Sequence, residues 1–194
     1  HVWPSRADDL RHPDRLIFDL DPSTDAFGLV RNAARAVREV LDEVGLPSFV
    51  MTTGSRGLHV VSPLDRKAEF DEGRDFAVTL ARLVVGRDQG SFTVEQRKNK
   101  RGDRVFIDYL RNAYGQHGVA PYSVRPKPGA PVATPLDWRE LDDSRMSPRK
   151  YRIDNLFRRL SRKDDPWHDI ARRASSLRKA RRKLDRLVET AGRR

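Results

Sequence analysis

Asp19 and Asp21 stand two residues apart in the stretch "FDLDPS", Phe18 to Ser23. In an extended strand successive side chains alternate, so the two carboxylates share one face while Phe18 and Leu20 take the other. Carboxylates held this close repel one another unless positive charge sits between them. A hard divalent cation, Mg²⁺ or Mn²⁺, supplies that charge and binds through carboxylates together with a substrate's phosphate oxygens. The plainer alternative is that Asp21 caps the turn before Pro22 and Asp19 is a polar residue at a strand edge. A third carboxylate, Asp108 in "VFIDYL" (105–110), lies in a strongly apolar run, where an unpaired acid is unwelcome. A pair on one strand and a third acid on another is the donor set of a two-metal phosphoryl-transfer site.

Three further stretches offer the cations and donors such a site needs. The turn "TTGSRGLHV" (52–60) presents backbone N–H groups, the hydroxyls of Thr53 and Ser55, and Arg56 as a charged clamp for phosphate. His59 follows it; taken alone, it reads as a core histidine. The basic run "RKNKRGDR" (97–104) brings Lys98, Lys100, Arg101 and Arg104 against Asp108. Such a run is ordinarily a solvated loop, but its position suits a triphosphate or a nucleic acid. Arg125 sits in "APYSVRPKPGAP", where flanking prolines hold a side chain in place at low entropic cost.

The elements that must position these residues follow from hydrophobic period and breakers. "RLIFDL" (15–20) reads as a strand. Residues 23–46 carry Phe27, Val30, Ala34, Val37, Leu41 and Val44 at helical spacing, with a Ser/Thr/Asp start and Gly45 as the stop. Strands are expected over 48–53, 58–64, 91–95 and 105–110, and a second amphipathic helix over 71–87. Residues 115–138 form a Pro- and Gly-rich irregular region, a length that marks a functional segment or a linker. The tail from about 150 is expected to be helical. Its last 26 residues hold ten Lys/Arg against three acids, with an apolar stripe at Ile170, Ala174, Leu177, Leu184, Leu187 and Val188 that should pack on the body. Its basic face is either solvated or set against phosphates. The expected division is a catalytic core over 1–149 and a basic C-terminal helical segment over 150–194.

Net charge is +11 and the sequence pI about 10.5, which favours a polyanionic partner, nucleic acid or nucleotide, over a membrane. No apolar run approaches the roughly 20 residues of a membrane helix. No cysteine is present, which excludes a disulfide framework or thiolate metal site and fits a cytoplasmic setting. The opening "HVWPSRADDL" lacks methionine and begins within a Trp-bearing phrase, as a piece of something longer would.

Two resemblances follow from these phrases. "FDLDPS" is similar to the opening motif of haloacid-dehalogenase-type phosphatases, in which one aspartate attacks phosphate and the other is acid/base. That family wants Gly-Thr after the aspartates, where Pro22-Ser23 stand. Far more of the chain resembles the polymerase domain of the bacterial ATP-dependent DNA ligases of non-homologous end joining (ligase D), in the archaeo-eukaryotic primase superfamily. The phrases are "HVWPS", "PDRLIFDLDPS", "TTGSRGLHVVSPL", "KRGDRVFIDYLRNAYGQ", "VAPYSVRPKPGAPVATPLDWREL" and "DPW".

This second resemblance implies an α/β (α+β) fold, a mostly antiparallel, primase- or RNA-recognition-motif-like sheet flanked by helices. It implies Asp19, Asp21 and Asp108 as catalytic ligands of two divalent ions, Mn²⁺ or Mg²⁺. It implies nucleotide contacts from His1, Thr53, Ser55, Arg56, His59, Arg101 and Arg125, and nucleic-acid contacts from Lys98, Lys100 and Arg104. Thr53 replaces the usual serine and Arg56 a common lysine, keeping hydroxyl and charge. Family members carry a longer portion before the "HVW" phrase that touches template and base, so this chain is expected to lack those contacts. The implied activity is template-dependent addition of NTPs or dNTPs to a primer 3′-hydroxyl at DNA ends or gaps. The implied partners are template-primer DNA, a Ku-type end-binding protein and ligase or nuclease domains, with no membrane, at the bacterial nucleoid. The alternatives are a non-catalytic nucleic-acid-binding module and, less well matched, the phosphatase.

Overall fold

The structure, a computed structural model, describes residues 1–192. Twelve regular elements are present among them. They are β1 (Ser5–Arg6), β2 (Asp9–Pro13), β3 (Arg15–Asp21), α1 (Phe27–Val44), β4 (Phe49–Thr52), β5 (Leu58–Pro63), α2 (Phe70–Arg87), β6 (Phe92–Thr93), β7 (Val105–Asp108), β8 (Pro135–Leu136), α3 (Leu156–Leu160) and α4 (Leu177–Ala191). Six strands form one sheet in the order β6-β7-β3-β5-β4-β8, antiparallel throughout except for the parallel β6/β7 pair. It is the mixed α/β architecture that the resemblance implies.

The central strand β3 shows how the sequence builds the layers. Leu16, Phe18 and Leu20 are fully buried beneath α1 and α2, with Val50, Leu58 and Val60 of the neighbouring strands beside them. The helices answer with Val30, Ala34, Val37 and Leu41, and with Phe76, Leu80 and Val84. The alternate residues of β3, namely Ile17, Asp19 and Asp21, face the other way. There Ile17 joins a smaller cluster with Phe49, Met51, Val61, Val119, Ala133 and Trp167. The two-residue period thus splits one strand into an apolar back and a charged front.

Several boundaries differ from the sequence expectation for local reasons. Helix α1 begins at Phe27 with Ala26 at its N-cap and no side-chain cap, so Ser23, Thr24 and Asp25 precede the helix rather than cap it. Strand β7 stops at Asp108 because its Oδ1 accepts the Leu110 N–H at 2.7 Å, turning the chain into a 3₁₀ turn at Leu110–Asn112. Thr93 Oγ1 accepts the Glu95 N–H at 3.1 Å and ends β6 early. The hairpin of β1 and β2 and the short strand β8 had no periodic signal long enough to show.

The tail corrects the largest expectation. Among residues 150–192, α-helix covers only α3 and α4, with a 3₁₀ turn at Ile170–Arg173. Residues 149–153 run instead beside the 130–132 segment, where Val132 N–H donates to Tyr151 O at 2.8 Å. Trp167 then anchors the chain, packing on Phe49 and donating Nε1–H to Val50 O at 3.2 Å. Leu177, Ala180 and Leu184 of α4 are buried in the main core, with Leu187 against it. Ile170 packs in the smaller cluster instead, while Ala174 and Val188 are exposed, so the expected stripe is shorter and belongs to two elements.

Candidate active site

The charged front of β3 opens into a cleft of about 410 Å³. Asp19 reaches it from the middle of β3 and Asp108 from the end of β7. The two are directly opposed across the antiparallel pair, and Asp19 is opposed on its other side by His59 of β5. Asp21 lies one pleat further along the same face. Alternation and register therefore bring three carboxylates from two strands together.

Each carboxylate is met by a protein cation at rather long range. Arg111 Nε stands 3.4 Å from Asp19 Oδ2 and 3.8 Å from Asp108 Oδ2. His59 Nε2 lies 3.5 Å from Asp19 Oδ1. Arg56 and Arg101 each approach a different oxygen of Asp21 at 3.3 Å. Burial pushes the Asp19 carboxyl up, but His59 and then Arg111 more than offset it, leaving the group below the usual carboxylate range. Asp108 goes the other way: burial raises it, the Leu110 N–H lowers it, and the neighbouring Asp19 charge raises it again. The opposed pair is thus short of positive charge.

That shortage is the test of fit for divalent ions. The donor set is all hard carboxylate oxygen, which suits Mg²⁺ or Mn²⁺. Among the described residues no three His, Cys, Asp or Glu groups already converge as a metal cage, and each carboxylate is paired with an arginine instead. The donors fit two cations in chemistry and charge, and exchanging arginine for metal requires side-chain movement.

The grip loop between β4 and β5 is fixed by two glycines. Gly54 adopts φ +65°, and a Cβ there would meet the Val132 and Ala133 backbone at 3.2 and 3.1 Å. At Gly57 a Cβ would lie 2.0 Å from the Leu20 carbonyl, so only glycine lets the loop lie against β3. Thr53 Oγ1 donates to Gly57 O at 3.1 Å and accepts the Ser55 N–H at 3.3 Å. Ser55 and Arg56 are thereby presented to the cleft. Arg101 is 6% exposed and held on the Glu95 and Gln96 carbonyls at 2.9 and 2.8 Å, with its guanidinium over Phe106.

Of the expected residues, Asp19, Asp21, Asp108, His1, Thr53, Ser55, Arg56, His59, Lys98, Arg101 and Arg125 all line this one cleft. Lys100 and Arg104 do not. Lys100 is exposed, and Arg104 braces the basic loop by donating to Arg101 O at 2.7 Å and Lys100 O at 2.9 Å. Sequence reasoning missed Arg111, His117 and Phe106, which also line the cleft. Arg111 lies three residues after Asp108, and its spacing was the available signal. His117 packs against His1 with ring centroids 4.8 Å apart and planes tilted by 45°, a contact made by the Val2–Gly118 bridge and invisible in local sequence.

Three comparisons bear on this cleft. A family model described as "LigD, primase-polymerase domain" matches residues 1–167. The Multifunctional non-homologous end joining protein LigD of Pseudomonas aeruginosa is 35% identical over 174 residues, covering 88% of this chain and 21% of that protein. The Bifunctional non-homologous end joining protein LigD of Bacillus subtilis is 31% identical over 164 residues, covering 84% and 27%. The chain thus spans about a quarter or less of these relatives. A solved structure, the polymerase domain of Mycobacterium tuberculosis Ligase D in complex with DNA, superposes with TM-score 0.78 at 32% identity, covering 84% of this chain and 57% of that one.

Proposed function

Since the chain belongs to the LigD primase-polymerase domain family, a family of nucleotidyltransferases, we propose that its cleft performs template-dependent nucleotidyl transfer. A primer 3′-hydroxyl attacks the α-phosphorus of an NTP or dNTP, and pyrophosphate leaves. The observation that carries this reading is the meeting of Asp19, Asp21 and Asp108 in a cleft that Arg56, Lys98, Arg101, Arg111 and Arg125 also line.

Asp19, Asp21 and Asp108 would hold two divalent ions, Mn²⁺ or Mg²⁺, which when bound activate the attacking oxygen and steady the departing phosphate. The remaining roles belong to the protein. Arg56, Arg101, Arg125 and Lys98 offset the charge of the triphosphate, which grows on the pyrophosphate as it leaves. Arg101 is held by two carbonyls at the edge of the carboxylate set, beside Asp21. Ser55 and the backbone of the grip loop fix phosphate position, and the His1–His117 pair closes one wall. His59, buried against Asp19, sets that carboxylate's orientation.

The substrate proposed for the whole protein is DNA with ends or gaps. The relatives are named for non-homologous end joining, and the solved neighbour is a DNA complex. A Ku-type end-binding protein and ligase or nuclease domains are proposed as partners on the same basis. Among the described residues no helix is long and apolar enough to cross a membrane.

Primer extension on gapped DNA with labelled NTP and Mn²⁺ tests the proposal, comparing the parent chain with Asp19→Ala. Extension by the parent and none by the variant is expected. Salt-sensitive DNA binding without extension by the parent would make this a binding module and overturn the catalytic reading.

A further inference from the structure

Residues 149–163 leave the cleft along one edge and form a surface that the proposed chemistry does not use. Arg149 donates Nε–H to the Ser55 carbonyl of the grip loop at 2.9 Å. The chain then runs beside the Arg125 loop: Arg152 bridges Pro131, and Ile153 N–H donates to Ala130 O at 3.3 Å. It next turns into α3, whose inner residue Leu156 is buried in the core.

The outer side of this segment is apolar and uncovered. Phe157 is 76% exposed, Ile153 53% and Leu160 40%, and Val124, beside Arg125, is 55% exposed. Phe157 and Leu160 are three residues apart on α3 and so share a face. Residues 149–163 also hold seven Lys/Arg against one acid, Asp154. Glu140 engages Arg159 and Lys163, Asp143 engages Lys150, and Asp154 engages Arg152. Arg158, next to Phe157, and Arg162, two residues after Leu160, form no ion pair among the described residues.

An uncovered aromatic followed on the same short segment by two unneutralised arginines complements a strand that offers flat bases and phosphates together. We propose that this surface is a stacking track for the single-stranded part of the bound polynucleotide, with Phe157 as the base platform and Arg158 and Arg162 on phosphates. The track begins where Arg149 and Arg125 border the cleft. It deepens the polymerase reading and rests on it.

Labelled oligo-dT binding to the full chain, followed by fluorescence anisotropy at low salt, tests the track. Phe157→Ala should weaken oligonucleotide binding about tenfold and leave NTP binding and thermal unfolding unchanged. Arg158→Ala with Arg162→Ala should lower the salt slope by about 1.4, the value for two single-strand phosphate contacts. Phe157→Trp should keep the parent's affinity, and the emission it adds over the parent's three tryptophans should be quenched by oligonucleotide. Parent-like oligonucleotide binding by both the Ala and the arginine variants would overturn the track and leave the polymerase reading standing. An indole that responds to protein concentration but not to oligonucleotide would also overturn it, marking a protein-docking face. A parent that binds neither NTP nor oligonucleotide would overturn both readings.

Discussion

The molecule holds two carboxylate clusters built in opposite ways. Glu140 is satisfied: Arg159 donates to its two oxygens at 2.5 and 2.9 Å, Tyr151 Oη–H and Lys163 reach it at 3.0 Å, and the Asp137 N–H at 2.9 Å. Arg159 also donates to Pro135 O at 2.9 Å, so the cluster ties α3 to the sheet's edge strand. In the cleft, Asp19, Asp21 and Asp108 meet their arginines only at 3.3–3.8 Å. A buried charge with complete, short bonds holds structure, whereas charges with long and shared partners can exchange them. The first cluster is a fastening, and the second is the set of carboxylates proposed as the site.

The sharpest way to separate the two is to neutralise Asp108. Asp108→Asn should cut nucleotidyl transfer by on the order of 10³-fold, as removal of one essential charge from a preorganised site does. The same change should raise the thermal midpoint at neutral pH. Burial and the Asp19 charge hold the Asp108 carboxyl above its ordinary range, so the folded state resists its ionisation. The stability gain should shrink as pH falls through that raised value, because the parent then takes up the proton itself. Thermal scans across pH check this; a lower midpoint at neutral pH would break the comparison.

The two clusters also differ in how far the sequence exposes them. Asp19, Asp21 and Asp108 could be singled out because acids in apolar strand-like runs are anomalous, and the two-residue period placed the first pair on one face. The sheet's back was legible for the same reason: Leu16, Phe18 and Leu20 alternate with those acids, and Val30, Ala34, Val37 and Leu41 repeat at helical spacing. Arg111 was not singled out, because an arginine in a loop is ordinary until β7 is seen to end in a turn at Asp108. Glu140 and Arg159 lie 19 residues apart in segments with no regular period, so only tertiary pairing reveals their bond. The helical tail expected from about 150 is only partly helical, since residues 149–153 pair with the 130–132 segment and Trp167 is anchored on Val50 and Phe49 between α3 and α4. Local patterns report what a residue does to its own strand or helix, and are silent on distant partners.

Breaking the fastening should cost stability before it costs chemistry. Glu140→Gln removes the charge from a mostly buried ion pair and leaves Arg159 under-compensated, destabilising by ~2 kcal/mol once partial exposure is allowed for. Burial raises the Glu140 carboxyl, but Arg159, the Asp137 N–H and Lys163 together bring it down to about 2. A lowered carboxylate stabilises the fold above its ordinary pKa, and that contribution fades as pH drops from about 4.5 toward about 2. Parent and variant midpoints in denaturant should therefore differ at neutral pH and converge through this acid window. An unchanged difference across the window would show that Glu140 acts through packing rather than charge.

The smallest expected effect tests whether the cleft's arginines stand where cations belong. Among the described residues Arg111 is the one cation paired with both Asp19 and Asp108, and it is partly exposed. Arg111→Gln keeps a long polar side chain but removes that charge, so both carboxyls should rise and neutral-pH stability should fall by ~0.5–1 kcal/mol. If the arginine is a placeholder, Mn²⁺ should restore what the substitution removed. The thermal midpoint of the variant should then rise more on metal addition than that of the parent, because the ion no longer competes with a resident guanidinium. Equal gains in the two proteins would mean that Arg111 fastens Asp19 and Asp108 as Arg159 fastens Glu140, and the contrast between the clusters would be one of distance alone.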